Sequence, residues 1–186
     1  MITKFNQSIG DVVLVESSKY EDDRGFLSEV FNEMEYEKAI GKSISIKQLN
    51  TSCSKKGVIR GIHYAVNNPQ GKLVQVLSGA VYDVAVDLRA NSPTFSKWCA
   101  AFLMNDTDAC RLLWIPPGFG HAFMALADNT IIQYLMTEVY EKDNDRTILY
   151  NDPTINIRWP TFFVDKVVVS EKDKNGKRLT EAEVYG

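Results

Sequence analysis

Histidine is the scarcest of the residues able to carry chemistry: the 186-residue sequence has two, His63 and His121. With no H-x-H pair and no third histidine, a three-histidine metal site within one chain is impossible, and hydrolytic or oxygen chemistry at such a centre loses its footing. Cysteine is nearly as rare. Cys53, Cys99 and Cys110 are odd in number, widely spaced and free of any C-x-x-C pattern, which argues against a disulfide framework or a thiolate metal site and leaves buried thiols. There is no basic excess: 21 Lys and Arg stand against 24 Asp and Glu, for a net charge of −3. A nucleic-acid footprint is therefore missing, and any anionic ligand must be held by a few placed cations. No apolar run approaches the roughly 18–20 residues that span a bilayer. The start, Met1-Ile2-Thr3-Lys4-Phe5-Asn6-Gln7, lacks the charged-then-apolar run of a secretory leader. These absences describe a soluble cytoplasmic protein with neither nucleic acid nor membrane as partner. No repeat, low-complexity stretch or linker divides the chain, and its length suits one domain, 1–186, with a substantial core.

What is present is two-residue alternation. It runs through Lys72-Leu73-Val74-Gln75-Val76-Leu77, crosses a turn at Ser78-Gly79, and resumes over residues 81–88, which predicts a hairpin. Further strands are expected over 48–51, 58–64, 98–103, 111–115, 122–126 and 130–137, separated by Gly, Pro, Asn and Asp clusters. Many short strands at this spacing predict a mainly β protein, a jelly-roll β-sandwich with a few short peripheral helices. One helix is expected early, with Asn32 as cap, Glu35 three residues on and Gly41 at its end. A short terminal helix is expected over 180–184.

Four side chains draw attention on their own terms. His63 ends the β-rich run Gly57-Val58-Ile59-Arg60-Gly61-Ile62-His63-Tyr64; a regular strand would turn Arg60 and His63 to opposite faces, whereas a bulge at Gly61 would bring them to one. His121 follows the stiff turn Ile115-Pro116-Pro117-Gly118-Phe119-Gly120, and such turns position functional groups well. Each histidine serves equally well as a structural group bonded to nearby backbone. Lys72 shares its parity with Val74 and Val76, which points an ammonium inward, a costly placement unless it is paired or used. The alternative is a strand-end lysine reaching solvent. Tyr134 alternates with Ile132 and Met136, as a core phenol would.

Taken together, Arg60-Gly61-Ile62-His63-Tyr64, Gln70-Gly71-Lys72-Leu73-Val74, the run from Tyr82 to Arg89, Ser92-Pro93-Thr94-Phe95, the turn into His121, and Asn151-Asp152-Pro153 resemble the dTDP-4-dehydrorhamnose 3,5-epimerase family in order and spacing. The likeness extends from Asp22-Asp23-Arg24-Gly25-Phe26 to Ser170-Glu171-Lys172-Asp173-Lys174. The resemblance implies a cupin-like β-sandwich, a homodimer with exchanged N-terminal strands, no cofactor and no metal, and a charged segment 170–186 that partly closes the site. It implies deprotonation of a nucleoside-diphosphate 4-keto sugar at the carbons flanking its C4 ketone, for surface polysaccharide precursors. Carbons beside a carbonyl give up a proton only when the enolate is stabilised, so such a site needs a base, a cation at the oxygen and an acid on the opposite face. By the resemblance His63 is the base, oriented by Asp173; Lys72 stabilises the enolate oxygen; Tyr134 returns a proton; and His121 lies near the sugar. Arg60, Gln48 and Asn50 match polar site positions, and Arg24, Phe26 and Glu29 match positions holding the nucleotide, across the dimer.

This chain departs from the family pattern at Ala65, at Leu27 and in the order Gly120-His121-Ala122. The departures leave room for a GDP-linked or heptose substrate and for an enzyme that inverts C3 or C5 alone. Two readings of another class stand beside these: a non-catalytic cupin-like sugar-binding module, and a metal-dependent cupin, against which the two histidines argue.

Overall fold

The computed structural model describes residues 2–105 and 109–186. Its strands are β1 (Ile2–Asn6), β2 (Val13–Ser18), β3 (Tyr20–Asp22), β4 (Gly25–Leu27), β5 (Gln48–Ser54), β6 (Val58–Ala65), β7 (Lys72–Ser78), β8 (Ala80–Asp87), β9 (Trp98–Met104), β10 (Ala109–Ile115), β11 (Phe119–Ala125), β12 (Thr130–Met136), β13 (Asp145–Thr147) and β14 (Val168–Val169). Two helices, α1 (Glu33–Ile40) and α2 (Glu171–Lys174), complete the main elements. One sheet runs β1-β2-β10-β7-β12-β5 and a second β13-β6-β11-β8-β9, while β3 and β4 pair only with each other. This is the mainly β, cupin-like sandwich that alternation and resemblance predict. Among the described residues no helix is long and apolar enough to cross a membrane.

The core lies in three layers. Between the sheets, Val74, Val76, Leu113, Ile115 and Ile132 of the first meet Val81, Ala85, Cys99, Leu103, Phe119 and Phe123 of the second. The outer face of the first sheet buries Val13, Val15, Leu73, Leu112 and Trp114 beneath Tyr36 of α1. The outer face of the second buries Ile62, Tyr64, Val84, Val86 and Leu88 beneath Ile148, Ile155, Ile157 and Leu179. Strands such as β7 are thus apolar on both faces, and burial of that area is the main stabilising force.

Two expectations need correction. β7 and β8 do not form a hairpin: β7 pairs with β10 and β12, and β8 with β9 and β11. The turn carries the chain from one sheet to the other, with Gly79 in the left-handed region at φ 78°. Alternation identifies a strand but does not name its partner. The C-terminal segment forms a 3₁₀ turn at Leu179–Glu181 instead of a helix over 180–184, and Tyr185 then bridges to Arg89. The early helix is as expected: the Asn32 side chain accepts from the Glu35 N–H, and Gly41 closes α1 at φ 80°. One of the motifs carrying the resemblance proves structural. Buried Asp87 accepts hydrogen bonds from Arg89, Ser92 and Thr94, which fix the turn between β8 and β9.

Candidate active site

At one end of the sandwich the sheets separate around a cavity of about 220 Å³. The first sheet supplies Asn50, Lys72, Tyr134 and Met136, the second Arg60, His63, His121 and Phe123; Gln70, Tyr140, Asp145 and Lys172 complete the rim. The bulge expected at Gly61 is present. Three steps along β6, from Arg60 to His63, oppose two along β11, from Phe123 to His121, and both β6 side chains therefore reach the same cavity. Gly61 sits at φ 118°, and a Cβ there would fall 2.5 Å from the Ala122 Cβ, so the close approach of β6 to β11 requires glycine.

His63 Nε2 lies 2.6 Å from Asp173 Oδ1. Asp173 rides on α2, is 2% exposed, and accepts the Gly61 N–H at its other oxygen. Burial pushes its carboxyl pKa up, but the hydrogen bond and charge of His63, with the Gly61 N–H and Ser170, outweigh burial and hold it below the ordinary carboxylate value. An ionised carboxylate only accepts, so Nε2 carries the proton and a neutral His63 has its lone pair on Nδ1. The segment 170–186, unremarkable as a charge-rich sequence, thus delivers a buried carboxylate to a half-buried histidine.

Lys72 is 8% exposed, with Nζ 3.5 Å from the His63 carbonyl oxygen. Burial lowers its pKa from 10.5 to about 8; Asp145 and Asp83 pull it partly back up and Lys172 opposes them. Tyr134 faces the edge of His121 with ring centroids 6.4 Å apart. His121 is on strand β11, not in the loop before it, and its Nε2 lies 3.0 Å from Oδ2 of fully buried Asp83. Asp83 therefore orients His121 as Asp173 orients His63. Sequence reasoning missed it, although its parity with Val81 and Ala85 on β8 marks an inward carboxylate.

The remaining expected residues divide. Arg60 donates to Ser54 Oγ and the Cys53 carbonyl at the cavity mouth. Asn50 lines the cavity, and Gln48, two residues earlier on the same face of β5, is bonded to Asn50 and to the Tyr140 N–H. Arg24, Phe26 and Glu29 do not line this chain's own cavity. The Arg24 side chain is 89% exposed and paired with Asp22, Phe26 is 54% exposed, and Glu29 accepts from Asn32. The β3–β4 hairpin pairs only with itself, so no sheet register draws these side chains inward. Tyr140, Asp145 and Lys172 were not foreseen: Lys172 Nζ meets Asp145 Oδ2 at 2.5 Å and the Tyr140 hydroxyl donates to the same oxygen from 3.4 Å. Tyr140 and Asp145 are five residues apart, whereas Lys172 lies 27 residues beyond Asp145, and no local pattern announces their meeting.

A sandwich with an imidazole bonded to a buried carboxylate, a buried lysine and a tyrosine around one cavity defines the class: a cupin-like isomerase of the epimerase type. The family model described as dTDP-4-dehydrorhamnose 3,5-epimerase matches residues 6–181. The enzyme of that name from Methanothermobacter thermautotrophicus is 42% identical over 178 residues, covering 96% of this chain and 95% of its own; that from Pseudomonas aeruginosa is 41% identical with 96% of each covered. Among solved structures, dTDP-6-deoxy-D-glucose-3,5-epimerase from Legionella pneumophila, in complex with dTDP-4-keto-L-rhamnose, superposes with a TM-score of 0.93 at 38% identity, covering 98% of this chain and 95% of that one. The chain belongs to the dTDP-4-dehydrorhamnose 3,5-epimerase family.

Proposed function

We propose that this protein inverts C3 and C5 of a dTDP-linked 4-keto-6-deoxy hexose, supplying a sugar precursor for surface polysaccharide. The observation that carries this reading is the His63–Asp173 hydrogen bond at the wall of a cavity that also holds Lys72 and Tyr134. His63 Nδ1 takes the proton from the carbon beside the ketone, and Asp173 stabilises the imidazolium that forms. The protonated Lys72 stabilises the enolate oxygen where charge develops. Tyr134 then delivers a proton to the opposite face of the same carbon, and the cycle repeats at the other carbon. Between the two inversions the imidazolium releases its proton to solvent and the tyrosinate takes one back, which resets both groups and admits solvent deuterium. The dTDP assignment is supported by the relatives' names and by the dTDP-sugar in the Legionella complex. Arg60 suits the diphosphate. Arg24, Phe26 and Glu29, exposed on their hairpin, suit the nucleotide bound to a second copy in a homodimer of single-domain subunits.

The experiment is incubation in deuterated water with dTDP- and GDP-linked 4-keto-6-deoxy sugars, following C3 and C5 by NMR. Deuterium entering both carbons of the dTDP-hexose supports the proposal, entry at one carbon limits it to a single inversion, and binding without exchange makes the protein a sugar-binding module. In the same assay Tyr134→Phe is expected to keep exchange on the His63 face while completed inversion falls by roughly 10²-fold or more. Full inversion by that variant would remove Tyr134 as the acid.

The pH profile supplies another expectation. Lys72 acts as a cation, and with its pKa lowered to about 8 it loses its proton where an ordinary lysine keeps it. The rate of exchange at substrate well below KM, which reports groups of the free enzyme, should therefore decline as pH rises through about 8, well before 10.5. A flat rate from pH 8 to 10 would show that the lysine charge is not used.

A further inference from the structure

The run Ser170-Glu171-Lys172-Asp173 has the spacing of a helix start in which the first hydroxyl accepts the N–H of the fourth residue and the fourth side chain reaches back to the first N–H. The structure forms one half of that exchange and redirects the other. Ser170 is extended, at φ −66° and ψ 157°, and its Oγ accepts the Asp173 N–H at 3.1 Å. Both Asp173 carboxylate oxygens are engaged elsewhere, one with His63 Nε2 and one with the Gly61 N–H. The cap thus holds the backbone of Asp173 and leaves its side chain to the histidine.

The surrounding strands explain why so short a helix depends on its cap. β13 pairs with residues 63–65 of β6 and β14 with residues 58–59, on the edge opposite β11, and Asp173 meets the Gly61 N–H in the gap between them. The pairing of Val168 with Val58 and of Val169 with Ile59 sets where Ser170 stands along β6. From there α2 must bring a carboxylate back to the same strand within one turn, Glu171–Lys174. A single turn is unstable by its own hydrogen bonds, and the Asp173 N–H is one of the early helix donors that finds no acceptor inside the helix.

We propose that Ser170 is a positioning residue for the base: by capping α2 it fixes where Asp173 stands, and through Asp173 the orientation of His63. It does not line the cavity that holds Lys72 and Tyr134. The rest of the segment is secured without it, because Lys172 pairs with Asp145, the Lys177 N–H donates to the Thr147 carbonyl and the Lys177 carbonyl accepts the Leu149 N–H. Loss of the hydroxyl therefore lets Asp173 shift in its gap while the walls around it stay in place. A base held in the wrong orientation loses rate more than it loses substrate binding. This inference rests on the epimerase reading above.

The test reads kcat and KM for deuterium exchange with the dTDP-linked 4-keto sugar, well below the melting temperature of each variant. Ser170→Ala is expected to lower kcat by about tenfold with little change in KM. Ser170→Asn, a neutral side chain that caps as well as serine, should restore most of the rate. In the Asp173→Ala background, Ser170→Ala should lower kcat no further, since the side chain it positions is gone. A cap that serves stability alone would lower the melting temperature of Ser170→Ala and leave the kcat of the folded protein unchanged, and that result would overturn the proposal. The same loss of kcat in the Asp173→Ala background would overturn it too, because Ser170 would then act without Asp173, as would a Ser170→Asn variant no faster than Ser170→Ala. Absence of exchange in the wild-type protein would instead bring down the epimerase reading, and this inference with it.

Discussion

His63→Ala is expected to abolish deuterium uptake at C3 and C5 together, with a fall in exchange rate of about 10³-fold or more. The chain has two histidines, and His121 has its Nε2 against buried Asp83 and its ring beside Tyr134, the proposed acid. His63 has a carboxylate partner that fixes its tautomer, and its carbonyl oxygen lies 3.5 Å from Lys72 Nζ on the cavity wall. Because one base serves both carbons, the two signals should vanish in parallel. The variant also leaves Asp173 buried without its imidazole, and the burial that pushes its carboxyl up is then less opposed. Asp173→Asn distinguishes the effects: it keeps the shape but not the charge, and its exchange rate should fall while folding persists. Residual wild-type exchange at either carbon in His63→Ala would demand a second base and would break the one-base scheme.

Lys72→Met is expected to move activity and stability in opposite directions. Exchange should drop by roughly 10²–10³-fold, the cost of removing one preorganised group that stabilises a developing oxyanion. The protein itself should become more stable. Lys72 enters the fold with its pKa lowered from 10.5 to about 8, so below pH 8 burial of the ammonium costs roughly 3 kcal/mol, a cost relieved as pH rises from 8 toward 10.5 because the unfolded chain holds the proton longer. Methionine fills similar space between Ile115 and Met136, the cross-strand neighbours of Lys72, without that charge. A higher melting temperature at pH 7 together with lost exchange fits a lysine kept for chemistry at the expense of the fold. A lower melting temperature would mean that its contacts with Asp83 and Asp145 outweigh its burial.

The sequence and the structure agree most where local rules decide. Period-two patterning locates β5 to β12 to within a few residues, and the caps of α1 follow from Asn32 and Gly41 because a helix end must satisfy its own backbone. Gly61 reads as a bulge because a glycine interrupts a β-branched run. Pairing is another matter: nothing in Ser78-Gly79 tells whether the chain folds back on the same sheet or crosses to the facing one. In the site, the inward parity of Lys72 and Tyr134 is visible, while Asp173 is legible only through family resemblance, since a carboxylate in a charged tail looks solvated until α2 packs it against β6. The parity of Asp83 with Val81 and Ala85 on β8 also marks it as inward. Lys172 has no local signature because it meets Asp145 from 27 residues along the chain.

The crossing between sheets at Gly79 has a kinetic consequence. Among the described strands only β1 with β2, β3 with β4, and β8 with β9 pair in chain order; the rest find partners far along the chain, a topology that folds slowly because large loops must close before contacts reward them. The four groups proposed to act in catalysis are scattered over β6, β7, β12 and α2, separated by as many as 110 residues between His63 and Asp173. No partly folded intermediate can hold the whole set, so catalysis should return on refolding in step with the last long-range pairing, and chain collapse alone should restore none of it.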